Sequence, residues 1–467
     1  MRKFPRIYWL VILFEFFERG AYYGMLSILS VYLTNKLSFS IIQAGTLLSI
    51  IQPILYFLPI LTGAIADKVG YRRMLIIAFS LLGIGYFLTS QATEYSSIFA
   101  ALSIMAIGAG TFKPIISGTI AKVTDESNSG LGFGIYYWSI NLGAFLFPLI
   151  VVPFLKNISW NYVFIASAFF TSLMLLPTIL FYKDTDLDQS NGESEKVKEK
   201  ISKIIIDIIK KIITVFIDWK FILFIFIYSL FWVLYFQMYG TVLWYVQLFV
   251  DATPLNNFIS NLFNINWTFD VEHVTVINAL TIILLQLIIS KIVQKRKVIP
   301  TIISGFALAT FGMLILALSS NIWFFILGLF TFSIGEMTVH PKYISYLGLI
   351  APQDKKATYL GFGFLYGVFG SAIGSILGAN LYEKLINTPI YLQLKLKLGE
   401  LGVAISNNTS LYDTIKIAEQ YGISKYDIII YGEPTKLWLI FCLIGVIAMF
   451  AFILYSKFIA KKNIEPK

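Results

Sequence analysis

Cysteine is almost missing from this chain: there is one, Cys442, in 467 residues. An intrachain disulfide framework and a thiolate metal cluster are thereby excluded. Histidine is nearly as rare, with two residues, so a metal centre, a nucleophile–base pair or a cofactor loop has little to be built from. No catalytic residue, metal or cofactor is assigned, and an enzyme is not expected. Charge is scarce too, at 13% against 57% hydrophobic and 16% aromatic residues. A soluble protein of this length is not that apolar, and the composition is that of an all-α polytopic membrane protein. The net charge of +10 raises nucleic acid as a partner, but the basic residues lie mostly in loops and flanks of apolar runs, where membrane orientation accounts for them. No nucleic-acid partner is expected. The first apolar run follows Arg2, Lys3 and Arg6, yet it outruns signal-peptide length and lacks a small-residue cleavage site, so it is read as a spanning helix.

What is present is a series of apolar runs long enough to cross a bilayer. They fall near 7–34, 42–66, 74–92, 96–121, 132–155 and 160–181, and again near 220–249, 272–294, 299–318, 322–349, 357–383 and 434–460. This is a six-plus-six layout: a bundle at 1–181, a lysine-rich connector at 182–219, and a second bundle at 220–467 with an exterior loop at 384–433. Short loops after even spans carry Lys68, Arg72 and Arg73, then Lys291, Lys295, Arg296 and Lys297, then Lys355 and Lys356. The opposite loops carry almost no positive charge, which places both termini and the connector in the cytoplasm and the chain in the cell membrane. Within the connector, isoleucine triplets alternate with lysine pairs, a basic amphipathic pattern. It fits a helix at the cytoplasmic interface or the early part of a long seventh span. In the exterior loop, Asn407 and Asn408 begin formal glycosylation tripeptides, a weak signal.

One stretch breaks the apolar rule. Glu15-Phe-Phe-Glu-Arg-Gly-Ala-Tyr-Tyr-Gly24 puts two carboxylates and a guanidinium inside the first span. On a helix, Glu15, Glu18, Arg19, Tyr22 and Tyr23 fall within roughly 140° of one another, so they share a face that must look inward. Each ionisable group at bilayer depth costs roughly 2.5–3.5 kcal/mol on insertion scales, so the three are tolerable only when paired or lining a wet cavity. Arg19 and Lys113 are the cations mid-span in the amino-terminal half, and Glu336 is the carboxylate mid-span in the other half. A zwitterionic solute needs just such opposed charges, with amides for its backbone and amphipathic rings around it. Asn141 and Asn278 supply the amides, and Tyr22, Tyr23, Tyr56 and Trp232 the rings.

These residues carry a resemblance. Gly63-Ala-Ile-Ala-Asp67-Lys-Val-Gly70-Tyr-Arg72-Arg73 resembles the loop signature of the major facilitator superfamily. Residues 15–24 resemble the ExxERFxYYG signature of its proton-dependent oligopeptide transporter family. Gly108-Ala-Gly-Thr-Phe-Lys113-Pro114 and Ile135-Tyr-Tyr-Trp-Ser-Ile-Asn141-Leu-Gly143 resemble that family's fourth- and fifth-span motifs. The second half matches more loosely, at Phe231-Trp232 with Gln237, at Asn278, at Gly335-Glu336 with Pro341, and at Ala351-Pro352. The resemblance implies a twelve-helix major-facilitator fold and a secondary active transporter that imports di- and tripeptides with protons by alternating access, as a functional monomer in the bilayer. It implies Glu15, Glu18, Arg19 and Lys113 for proton coupling, and Arg19, Tyr22, Tyr23, Tyr56, Lys113, Asn141, Trp232, Asn278 and Glu336 for substrate. A peptide carboxylate competing for the cations leaves a glutamate unpaired and ready to take a proton. A static ion-pair cluster that only joins helices is the other reading of the same charges.

Departures from the family pattern matter. Its exterior-gate ion pair is replaced by Leu26 and Phe236, for which a direct contact is expected, since exchanging both partners of a buried pair for apolar groups avoids a stranded charge. The signature phenylalanine is Gly20 and the eleventh-span tryptophan is Gly363, which suggests a wider pocket. His340, one turn after Glu336, either takes over part of the lost proton chemistry or hydrogen-bonds within the bundle, and Lys342 is expected to reach toward the cytoplasm. His273 is expected at the surface. Asp67, Arg72 and Arg73 are assigned to a cytoplasmic gate, with topological anchoring by the two arginines as the alternative. The alternative function is a major-facilitator carrier or facilitator for another small organic anion or metabolite, without obligatory proton coupling.

Overall fold

The computed structural model describes residues 4–125, 128–184, 201–352, 355–406 and 409–460. Asn407, Asn408 and the connector's 185–200 lie outside them. Among the described residues no β-strand forms, and a lone bridge joins Asp251 and Asn321. Among the described residues, eleven helical segments are long and apolar enough to cross a membrane. The helix Arg6–Val31, at 26 residues, has the length as well, and its three mid-helix charges set it apart. With it there are twelve spans in the expected order.

Prolines interrupt several of them: Pro53 and Pro59 in Ile41–Val69, Pro114 in Tyr95–Val123, and Pro341 in Ile322–Ile350. Such breaks are tolerated where side chains re-satisfy the freed backbone. Thr62 does this across helices: its hydroxyl donates at 3.0 Å to Gly110 O, the carbonyl that Pro114 leaves without its amide partner.

The chain forms two compact units. The first comprises Met1–Met25, Ile51–Ile225 and Ala351–Val368. Its core holds an aromatic cluster of Phe14, Phe79 and Phe112, with ring centres 5.2 Å apart edge-on and 5.4 Å apart tilted. Phe87, Phe154 and Phe169 point outward, as lipid-facing residues do. The connector contributes a helix of its own, Ile201–Ile217, which stops at Asp218. Asp218 accepts from Phe221 N at 3.2 Å, capping the next helix, and from Tyr359 OH at 3.0 Å. Tyr359 in turn packs on Phe221, centroids 4.5 Å apart.

The second unit comprises Leu26–Ile50, Phe226–Ile350 and Phe369–Lys467. Phe231 organises its core against Phe306 and Phe332, at 5.3 Å each. Two expectations change here. The exterior segment, expected as a loop, is helical: the eleventh span runs on through a π turn, Glu383–Asn387, into Thr388–Glu400, and Leu411–Gln420 follows. Ile390, Leu394, Leu398, Leu411 and Ile415 bury their side chains there, and Ser410 caps the second helix by accepting from Asp413 N at 3.1 Å. His273 is not at the surface either. It is buried at 3% exposure beneath Trp267 and Phe269, and its Nδ1 accepts from Asp270 N at 2.9 Å.

Candidate functional site

The first polar group lies in the first unit. Arg19 donates to both oxygens of its neighbour Glu18, Nε to Oε2 at 2.5 Å and Nη2 to Oε1 at 2.7 Å. The Glu15 Oε1 atom stands 3.7 Å from the same Nε. All three side chains are buried, at 1% exposure for Glu15, 0% for Glu18 and 4% for Arg19. A bidentate guanidinium–carboxylate pair is the strongest of side-chain ion pairs and fixes orientation as well as charge. It satisfies Glu18 and leaves Glu15 incomplete, since among the described residues Glu15 Oε2 has no hydrogen-bond partner.

Around this pair the tyrosines are placed by contact. The Arg19 guanidinium lies over the Tyr22 ring at 4.9 Å, and Tyr22 OH donates to Gln52 Oε1 at 2.8 Å. The Tyr23 ring meets Tyr22 edge-on at 5.3 Å. Lys113, on the fourth span, is half-buried, and its Nζ sits 4.9 Å over the Tyr56 ring. Among the described residues that ammonium makes no ion pair within 4 Å. Asn141 is buried and donates to Tyr137 O at 2.9 Å on its own helix.

The backbone explains one departure. A Cβ at Gly20 would strike the Phe147 ring, and one at Gly143 would fall 2.7 Å from Phe16 O and 2.9 Å from Gly20 N. The first and fifth spans therefore touch backbone to backbone, as small residues permit in membranes. Phe147, with Phe16 at 5.9 Å and Phe170 at 5.3 Å, fills the space beside Gly20. The wider pocket expected there is absent. Gly363 has a different consequence: the eleventh span is broken at that point, between Lys356–Phe362 and Leu365–Tyr382.

The expected gate loop is also tied down in the first unit. Asp67 accepts from Tyr71 OH at 2.9 Å, Arg72 N donates to Asp184 at 2.9 Å, and the Arg72 side chain donates to Ile179 O. Arg73 is exposed. Gly70, at φ +96°, makes the turn between the second and third spans.

The second polar group lies in the second unit. Asn278 Nδ2 donates to Glu336 Oε2 and to Ser333 Oγ, both at 2.9 Å. His340 turns to Tyr228 instead, with Nδ1 2.9 Å from the hydroxyl, and its ring meets Trp232 at 5.8 Å. Tyr228 stacks on Tyr343 at 3.6 Å. Lys342 Nζ donates to Gln294 O and Arg296 O at the end of the eighth span. Leu26, Phe236 and Trp232 are buried.

Sequence reasoning missed Gln52, Tyr366, Ser333 and Tyr228. Gln52 was detectable as a lone amide in an apolar run beside Pro53. Tyr366, whose ring lies 6.0 Å from Tyr56, had no local signal.

The Major Facilitator Superfamily model matches residues 9–375. Dipeptide and tripeptide permease A of Klebsiella pneumoniae (strain 342) is 32% identical over 170 residues, 35% of this chain and 34% of that protein. Its namesake from Escherichia coli (strain K12) is 31% identical over 170 residues, again 35% and 34%. The chain thus spans about a third of the length of these curated relatives. In fold, it superposes on a solved POT family transporter in complex with thioalcohol conjugated peptide with a TM-score of 0.71 at 20% identity, covering 98% of this chain and 97% of that one. A solved peptide transporter POT in complex with sulfate gives 0.70 at 17%, with 97% and 95% covered.

Proposed function

Because the chain belongs to the Major Facilitator Superfamily, a family of multi-pass membrane proteins, we propose that it is a secondary active transporter importing di- and tripeptides with protons. It works by alternating access, with six-helix bundles at 1–181 and 220–467 joined by the connector. The observation that carries this is the charge balance of the first polar group. Glu15, Glu18, Arg19 and Lys113 sum to zero, and among the described residues one cation has no counter-ion within 4 Å and one carboxylate oxygen has no partner. A peptide carboxylate that joins Lys113 adds one negative charge to a buried site, and the least costly way to restore balance is to protonate Glu15. Substrate and proton are thereby linked. The names of the curated relatives support the cargo.

Glu336, held by a neutral amide, suits the peptide ammonium, and Asn141, Asn278, Tyr22, Tyr23, Tyr56 and Trp232 suit its backbone and side chains. His340 is the auxiliary proton site. The protein works as a monomer in the cell membrane with both termini cytoplasmic. Asp67, Arg72 and Arg73 belong to the cytoplasmic gate, and Leu26 and Phe236 meet at the exterior gate. Paired cysteines at those two positions, with Cys442 replaced, are expected to cross-link in the exterior-closed state. Failure to do so in every state removes that gate.

The main test is uptake into liposomes under an inward proton gradient, with di- and tripeptides set against other organic anions and metabolites. Peptides should accumulate, and Glu15→Gln and Glu18→Gln should abolish accumulation. If both variants still concentrate peptide, the coupling role is wrong. If only another metabolite accumulates, the cargo is wrong.

A further inference from the structure

A cavity of about 420 Å³ lies in the second unit, walled by residues outside both polar groups. Four stretches enclose it: 34–43 between the first and second spans, 244–248 at the end of the seventh, 382–391 where the eleventh runs on, and 409–412 of the helical exterior segment. Its size falls within the roughly 300–1,000 Å³ of small-molecule sites. Among the described residues no lysine or arginine lines it, and Glu383 is the only carboxylate. That carboxylate accepts from Asn387 Nδ2 at 2.9 and 3.1 Å and from Thr388 Oγ1 at 2.7 Å. Among the described residues it has no ion pair.

The backbone is irregular along the same walls. Of three π-helical segments among the described residues, two, Tyr32–Lys36 and Glu383–Asn387, border the cavity. Ser38, in the left-handed region at φ +56°, lines it as well. Such features cost free energy and persist where the surrounding fold over-determines them, frequently at functional sites. Here the fold holds them by contacts that cross between spans: Asn35 Nδ2 donates to Gln247 Oε1 at 3.0 Å, and Tyr382 OH donates to Trp244 O at 3.1 Å.

We propose that this cavity is a second peptide-binding site, specific for the free amino end, with Glu383 as its charge. The inference rests on the peptide reading above and adds a site made of different residues. One carboxylate without a cation favours an ammonium and disfavours a carboxylate, so the cavity reads the end of the peptide opposite to the one Lys113 suits. Thr409, Tyr412 and Asn35 offer hydroxyl and amide groups to a peptide bond, and Trp244 and Tyr391 offer apolar faces to side chains.

Equilibrium binding of labelled dialanine to the purified full chain tests this. Wild type is expected to bind two molecules per chain. Glu383→Gln should weaken one of the two sites by roughly tenfold, as loss of a charge-assisted hydrogen bond does. Lys113→Gln should weaken the other site. Because Glu383→Gln also disturbs Asn387 and Thr388, N-acetyl-dialanine is measured on Lys113→Gln, which retains the cavity: it should bind there more weakly than dialanine. A single site in the wild type, unmoved by Glu383→Gln, overturns this inference and leaves the peptide reading intact. Loss of both sites equally in Glu383→Gln, or N-acetyl-dialanine binding as tightly as dialanine at the site retained in Lys113→Gln, also overturns it. No dialanine binding at all overturns both readings.

Discussion

Glu18 and Glu336 are both carboxylates at bilayer depth, and they are held in opposite ways. Glu18 is fully buried and gripped by both arms of a guanidinium. Glu336 is partly exposed and accepts one bond from a neutral amide. The first arrangement commits a negative charge to a structural partner, whereas the second leaves it available to an incoming cation. Buried ion pairs add little net stability because desolvation offsets the Coulombic gain, yet breaking one is costly. The contrast therefore separates a carboxylate locked into an ion pair from one held by a single neutral amide.

The comparison is most sharply tested at Arg19. Arg19→Gln strands Glu18 and is expected to destabilise the purified protein by about 3–5 kcal/mol, seen as a lower melting temperature in detergent. An unchanged melting curve would show that the pair is not structural. Gly20→Ala comes next. Its methyl group pushes against the Phe147 ring, with an expected loss of about 1–3 kcal/mol, and Phe147→Leu should restore part of it. Glu336→Gln preserves shape and an acceptor for Asn278, so its melting temperature should hold. Its half-saturating concentration for dialanine should rise by about tenfold, as a lost charge-assisted contact implies. If stability falls instead, Glu336 is as structural as Glu18. The smallest effect is expected for Tyr22→Phe, which removes the bond to Gln52 for about 0.5–1.5 kcal/mol.

Charges were the legible part of the site. Glu15, Glu18, Arg19, Lys113 and Glu336 stood out because an ionisable residue in an apolar run demands a reason, and the Asn278–Glu336 bond joins two residues singled out in advance. Partners one span away were not legible. Nothing local marks Phe147 as the ring that replaces the phenylalanine missing at Gly20, since compensation across helices leaves no trace in spacing. The exterior segment, expected as a loop, hides its helix for another reason. Leu392, Leu394, Leu396 and Leu398 alternate with polar residues, the period of a strand, yet they lie on the helix Thr388–Glu400. There Leu394 and Leu398 are buried, four apart, while Leu392 and Leu396 are exposed. Continuity with a spanning helix overrode the local pattern.

That continuity has a mechanical consequence. From Leu365 to Glu400 the chain is helical without interruption, a rod of about 54 Å at 1.5 Å per residue. Each degree of tilt about its lower end moves the upper end by about 1 Å, so small rotations in the membrane become large displacements outside it. The π turn at Glu383–Asn387, followed by Pro389, interrupts the regular hydrogen-bond ladder of that lever arm, and the helices packed at its tip ride on it.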